Sequence, residues 1–398
     1  MIGYLLKRLL SSLVALFIFL TFMFFVTEIM IPGDFTTQFA LTHDREAREK
    51  IQQELGIDLP LGQRYLHWVR RLLGGSLGTS FYGDPVAEVL KGLIPYTLLV
   101  FFTGTVIAFL FGQWLGRVVA WRGPGLFSGT ATLSAIALYT AFPPWLSFLA
   151  TYFFARRLSW FRSPFGGNPF DGFRQAMWLG FSLTPQTVML YMVGTSVAIW
   201  LILIVVNKGL GRLLRRRLPA LLGIPLFIAG LVGVWFACGF GPQALDVLSV
   251  AGLPILTYVL LSFGETMLVM RTSMVDNLKE DYVSLARAKG LPERAIRDRH
   301  AARNALLPVF SRLVISLPYL LTGLVIIEDV LDWPGISGAL FTSLYQQDIP
   351  VVMGALLVVG VLSALARLSL DVLYVYLDPR LSAVGGIRHG TERLRRGG

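Results

Sequence analysis

Six ionisable residues stand inside or at the mouths of apolar runs: Glu265, Glu328, Asp329, Asp332, Arg367 and Asp371. Charge in hydrocarbon is costly, so such residues turn toward a bundle interior or a water-filled cavity and pair with one another. Glu265 precedes Arg271 by about one and a half helical turns. Arg367 and Asp371 are spaced i,i+4 and share a helix face. Both sets admit two readings: a charged substrate pathway, or pairing that only makes the charges tolerable. Glu328, Asp329 and Asp332 sit at an outer mouth. They could guide a cationic or zwitterionic cargo, meet a cargo-delivering protein, or form an interfacial cluster with no special role. Covalent chemistry finds no support. The single cysteine, Cys238, excludes an internal disulfide and a thiolate metal cage, and four scattered histidines give no ligand spacing. No Gly-Lys dipeptide occurs, so there is no phosphate-cradling P-loop.

A different chemistry belongs to Asp281–Pro308, DYVSLARAKGLPERAIRDRHAARNALLP, a mostly polar run between two long apolar segments. Gly290 permits a turn that a Cβ would hinder, and Pro292 suits the start of a second helix. Ala286 and Ala288 are small enough for a partner surface to approach. The pattern predicts helix, turn, helix, offered to a soluble partner, as against an ordinary solvated loop.

The elements that carry these residues are membrane helices. The chain has 398 residues, 55% hydrophobic and only 15% charged, against roughly 25% charged in a soluble domain. Eight apolar segments are long enough to span, near 9–31, 95–119, 126–154, 186–206, 217–238, 246–270, 309–329 and 350–377. The first is too long for a cleavable signal peptide and has no small-x-small site after it. Pro143-Pro144 interrupts the third segment and Pro318 the seventh, where kinks or breaks are expected. Gly112 and Gly116 form a small-xxx-small pair, read as generic helix packing.

Net charge is +11, but the basic residues gather at segment ends, which excludes a nucleic-acid partner and fits the cytoplasmic-loop bias. Lys7 and Arg8 precede the first segment. Predicted inside loops carry Arg117, Arg122, Lys208, Arg212, Arg215, Arg216 and Arg217, then Arg287 to Arg303, then Arg380 to Arg396. The outside stretches 239–245 and 330–349 carry no Lys or Arg. Arg156, Arg157, Arg162 and Arg174 fall outside and cut against the rule. An even span count puts both termini in the cytoplasm. Within the long outer loop, Thr42 to Glu54 reads as an exposed helix ended by Gly56. Asp84-Pro85 reads as a cap and first turn.

The polar run resembles the coupling loop of binding-protein-dependent ABC importer permeases, in the form of the dipeptide/oligopeptide subfamily, first permease subunit type. Matching positions are Tyr282, Val283, Ala286, Arg287, Ala288, Lys289, Gly290, Leu291, His300, Ala301, Arg303, Asn304, Ala305 and Pro308. The general importer signature, which starts Glu-Ala-Ala and ends Ile-x-Leu-Pro thirteen residues after the Gly, is absent, as is usual in the peptide subfamily. Similarity extends to Pro32-Gly33-Asp34, Leu55–Trp68, Gly75–Ser80, Pro95-x-Thr97, Ile327–Gly338, Gln347–Pro350 and Asp371–Arg380. Two departures stand out: Ser76 where the family has Asp, and Arg367 where it has Asn.

The resemblance implies an all-α polytopic membrane protein, a type I-like transmembrane subunit with about 8 helices, an extra pair over the family's six. The implied organisation is an N-terminal helix (1–31), an extracytoplasmic loop subdomain (32–94), two helices with an outer loop (95–185) and the extra pair (186–238). Core helices with the coupling loop 281–308 follow (239–380), then a cytoplasmic tail (381–398). The extra pair is either a lipid-facing accessory or a contact for another subunit. The resemblance also implies a homologous second permease, two ATP-binding subunits, an extracytoplasmic solute-binding protein, and the cytoplasmic membrane of a prokaryote. This chain would bind no cofactor, with ATP and Mg on the partners, and would catalyse no reaction. Implied cargo is a di- or oligopeptide; nickel chelates, opines and oligosaccharides are the alternatives. A stand-alone carrier would show paired repeats and midplane carboxylates, and a membrane enzyme a nucleophile–base or metal cluster; neither pattern occurs.

Overall fold

The computed structural model describes residues 2–30, 59–80, 82–162, 173–213 and 220–377. Its elements are helices: α1 (Ile2–Met30), α2 (Leu61–Leu73), α3 (Val86–Arg122), α4 (Leu126–Tyr139), α5 (Pro143–Ala150), α6 (Pro185–Leu213), α7 (Ala220–Ala237), α8 (Gly241–Asn277), α9 (Asp281–Ala288), α10 (Ala302–Val330), α11 (Ile336–Tyr345) and α12 (Ile349–Leu377). Over its described residues each expected apolar segment is helical, apart from the break between Tyr139 and Pro143. By length and composition among the described residues, five helices can cross a membrane alone, or seven if each bent pair is one span. The apolar stretch Gly223–Ala237 of α7 is shorter, so the eightfold count stands one helix above this range.

Two helices form the spine. α3 and α8 have 37 residues each and pack along much of their length. Small residues on α3 recur every four positions: Gly104, Ala108, Gly112 and Gly116. This spacing makes one flat helix face. A Cβ at Gly112 would lie 2.6 Å from the Phe263 carbonyl oxygen, and one at Gly116 would lie 2.6 Å from that of Met267. The backbones therefore touch, the geometry that small-xxx-small faces permit in membranes. Tyr258 fills the space over Gly104, and its hydroxyl is 3.0 Å from Thr105 Oγ1.

α8 is buried on nearly every side. Gly264 brings it against α4, where an added Cβ would meet the Ala135 carbonyl oxygen at 2.5 Å. α10 packs on another side of α8. α4 and the helix from Pro143 to Arg157 bend by 110° at the Pro143-Pro144 break. The segment expected as one interrupted span is thus sharply folded back. Its last turn, Thr151–Arg157, is π-helical. α10 bends by 55° between Leu317 and Tyr319.

The pair α6 and α7 is no loose attachment. Val188, Met189 and Met192 of α6 are fully buried in the main core. α7 lies on α6 through Gly230 against Ile199, and Trp235 Nε1 donates to Thr195 Oγ1 at 3.0 Å. The outward faces, with Trp200, Leu201, Ile202, Val205, Ile224 and Ile228, are exposed and apolar.

α1 packs on α12 through Leu20, Phe24 and Met353, and α2 covers them with Tyr65 and Trp68. Arg64 of α2 pairs with Glu28 of α1 at 2.7 Å. The expected helix at 42–54 lies outside the described residues. Asp84 does not cap the next helix; Pro85 precedes its first residue, and no side chain caps it. α3 therefore starts at Val86, within the stretch assigned to the outer loop.

One of the arginines that break the charge bias, Arg162, has a local explanation. Asp246, buried near the start of α8, pairs with Arg162. It also accepts the Arg174 backbone N–H at 3.1 Å and Trp178 Nε1 at 2.9 Å. The Arg162 guanidinium is paired with a buried carboxylate, which removes it from the free charge that sets topology, whereas Arg174 gives Asp246 only its backbone N–H.

Candidate functional site

The polar run forms one end of the bundle. α9 is amphipathic: Val283 and Ala286 face inward, while Ser284, Leu285, Arg287, Ala288 and Lys289 face solvent. Val283, Ala286, Ile296, Ala301, Ala302, Ala305 and Val309 close a compact apolar cluster with Ala120 of α3 and Met270 and Met274 of α8. The helix is thereby joined to both spine helices. Gly290 has φ +70°, a left-handed value that side chains resist. Pro292 starts the next helical stretch, its carbonyl accepting Ala295 N–H at 2.8 Å and Ile296 N–H at 3.1 Å. That stretch, π-helical over Ile296–Ala301, runs directly into α10.

Polar bonds fix the element's ends. Tyr282 donates its hydroxyl to Asn277 Oδ1 at 2.8 Å, tying α9 back to α8. Ser273 Oγ donates to the Ala305 carbonyl at 3.1 Å. Arg297 holds Asp298 by two bonds of 2.9 and 2.8 Å. Arg117, near the end of α3, approaches the same carboxylate at 3.8 Å.

The expected residues thus divide. Arg287, Ala288, Lys289, Gly290, Leu291, His300, Arg303 and Asn304 are exposed, and Tyr282 is half-buried. Ala286 is a correction: at 5% exposure it packs inward, so its small size serves the core and not a partner's approach. Leu285 is what sequence reasoning passed over. It is 55% exposed, an apolar side chain at the centre of a polar surface. The helical period gives it away, since it cannot share the inward face with Val283 and Ala286.

Glu328 also departs from expectation. It does not stand at an open mouth; its exposure is 0%. Its Oε2 accepts both Ser337 N–H and Ser337 Oγ–H. Trp333 Nε1 donates to the Tyr96 carbonyl at 3.2 Å, and Ile336 N–H to Thr97 Oγ1 at 2.9 Å. The acidic-aromatic-Pro-Gly turn is therefore sewn to α3 at Pro95-x-Thr97, with the carboxylate inside. Asp329 and Asp332 are exposed. A Cβ on Gly335 would overlap the Glu328 carboxylate. Gly335→Ala is expected to cost about 1–3 kcal/mol of stability, the usual range for overpacking, read as a lower thermal midpoint of the purified protein. Melting like the parent would show that the turn relaxes freely.

Glu265 pairs with neither Arg271 nor another residue of its own helix. Arg312 of α10 reaches it, with Nε 2.5 Å from Oε1. Tyr139 of α4 lies near the same guanidinium. Arg367 is half-buried; the side chain of Asp371, and so the i,i+4 pairing, lies outside the described residues.

Comparisons with known proteins fall on the same elements. Residues 1–98 match the N-terminal part of the binding-protein-dependent transport system membrane component. Residues 191–383 match the binding-protein-dependent transport system inner membrane component. The "Probable D,D-dipeptide transport system permease protein DdpB" of Escherichia coli (strain K12) is 31% identical over 367 residues, covering 91% of this chain and 92% of that protein. The oligopeptide transport system permease protein AppB of Bacillus subtilis (strain 168) is 27% identical, over 96% of this chain and 99% of its own length. The dipeptide transport system permease protein DppB of Escherichia coli (strain K12) is 26% identical with the same coverage. With a helical bundle, apolar spans and a polar helical element on one end, the chain belongs to the inner membrane components of binding-protein-dependent transport systems, the permease subunits of ABC importers.

Proposed function

We propose that this chain carries di- or oligopeptides across the cytoplasmic membrane of a prokaryote, as one permease of a pair. Two ATP-binding subunits hold ATP and Mg and grip α9. A solute-binding protein delivers cargo on the opposite side, and both termini lie in the cytoplasm. The chain performs no covalent chemistry; partner motion shifts it between outward and inward access. The observation that supports this most is the two-sidedness of α9. Its inner face is locked to α3 and α8, while Leu285, Ala288, Lys289 and Leu291 are exposed. A push on the outer face is delivered to the spine. The peptide cargo is supported by the names of the relatives.

The test is co-purification of the tagged chain with the products of its neighbouring genes, followed by uptake in proteoliposomes. ATP-dependent accumulation of a labelled dipeptide or oligopeptide delivered by the binding protein is expected. Accumulation of a nickel chelate, opine or oligosaccharide in its place would overturn the cargo. Uptake without any ATPase subunit would overturn the importer mechanism.

A further inference from the structure

α10 carries an exposed stripe of mixed polarity. Asn304, Pro308, Arg312, Ile315, Tyr319 and Thr322 recur at intervals of three and four and are all exposed, so they lie on one helix face. Four of these six side chains have hydrogen-bonding groups, and Arg312 is charged. The exposed face of α6 gives the contrast: Trp200, Leu201, Ile202 and Val205 suit lipid. A stripe centred on an arginine does not, because a guanidinium at bilayer depth is costly unless it faces protein or water.

Arg312 lies three residues into the apolar run that starts near 309, about 5 Å along the helix at 1.5 Å per residue, just inside the edge of the hydrocarbon layer. Its side chain is nevertheless 52% exposed, while that of Glu265 is 11% exposed. The carboxylate is spent on holding the arginine, and the arginine faces outward. A guanidinium has five N–H donors; the Glu265 contact, made through Nε, engages only part of that set.

We propose that the Arg312 face of α10 lines the water-filled pathway, and that Arg312 is its receptor for an anionic group of passing cargo, such as a peptide carboxylate. Glu265 is the positioning residue that holds the guanidinium upright. The planar fork matches a carboxylate's two oxygens. Partial neutralisation by Glu265 keeps the grip weak enough for release. The 55° bend between Leu317 and Tyr319 lies within the same stripe, so bending would alter the width of the passage beside the arginine.

This rests on the importer reading above, yet its test needs no cargo. In the assembled importer, with Cys238→Ser as background, Ile315→Cys and Tyr319→Cys are treated with an anionic sulfonate and a cationic ammonium methanethiosulfonate reagent. Both sites are expected to react, and Ile315→Cys to favour the anionic reagent on the order of tenfold, the scale of one nearby charge. Ile202→Cys, on the apolar face of α6, should stay unreactive. Arg312→Gln paired with Glu265→Gln, which leaves no lone buried charge, should erase the preference; Arg312→Lys should keep it. Absence of reaction at both stripe sites would overturn the proposal, because lipid or the second permease then covers the stripe. A preference untouched by the double variant would overturn the role of Arg312. Failure of the peptide reading would look different: no peptide uptake, with labelling intact.

Discussion

Gly116→Leu is expected to abolish recovery of folded protein. The nearest atoms to an added Cβ are the Met267 carbonyl oxygen at 2.6 Å and Met270 Cβ at 2.8 Å. Neither is the far end of a flexible side chain, so relief requires parting α3 from α8. That would open the main core, where Tyr258, Phe263 and Met267 are packed against α3. Ordinary overpacking costs about 1–3 kcal/mol; separating backbones in the spine should exceed this and approach the whole stability of a domain, about 5–15 kcal/mol. Gly129→Leu is the matched control, since no atom lies within 4 Å of a Cβ there. Detergent extraction followed by size-exclusion chromatography reads the result. A sharp monodisperse peak for Gly116→Leu would mean that the close approach of the spine is dispensable.

The second large effect is functional. Leu285→Asp should leave the chain folded, because Leu285 takes no part in the cluster beneath α9. It should cut capture of the ATPase subunits by at least about thirtyfold, the scale of one interface hot spot near 2 kcal/mol. Uptake should fall with it. Ala286→Asp separates the two faces: a buried carboxylate among Met270, Met274 and Ile296 should instead lower thermal stability. Capture and uptake at parental levels for Leu285→Asp would remove α9 as the point of grip.

Much of this was legible in the sequence because the bilayer simplifies the problem. Apolar runs near 95–119, 246–270 and 350–377 became helices with nothing to arbitrate, since backbone groups in lipid must be satisfied within the helix. The polar helix–turn–helix of α9 was legible for the opposite reason, as polarity where lipid forbids it. What stayed hidden was pairing across helices. Gly112 and Gly116 were visible as a small-residue pair, but not that Gly104 and Ala108 extend them into a stripe facing α8. Glu265 was visibly out of place, yet its partner Arg312 lies 47 positions away, and neither composition nor periodicity links them. Glu328 read as a mouth residue because acidic neighbours surround it; only folding of the Trp333-Pro334-Gly335 turn over it makes it an interior group. Pro143-Pro144 announced a break but carried no information about its angle.

The breaks and the spine have a mechanical meaning together. A helix of 37 residues is about 55 Å long, so α3 and α8 overreach the hydrocarbon layer at both ends. Clamped through bare backbone, the two behave as a strut of low compliance: load applied beneath α9 arrives at the far end with little loss. A strut cannot also be the hinge. The deformation of each transport stroke therefore falls to the elements already bent, α4–α5 at 110° and α10 at 55°.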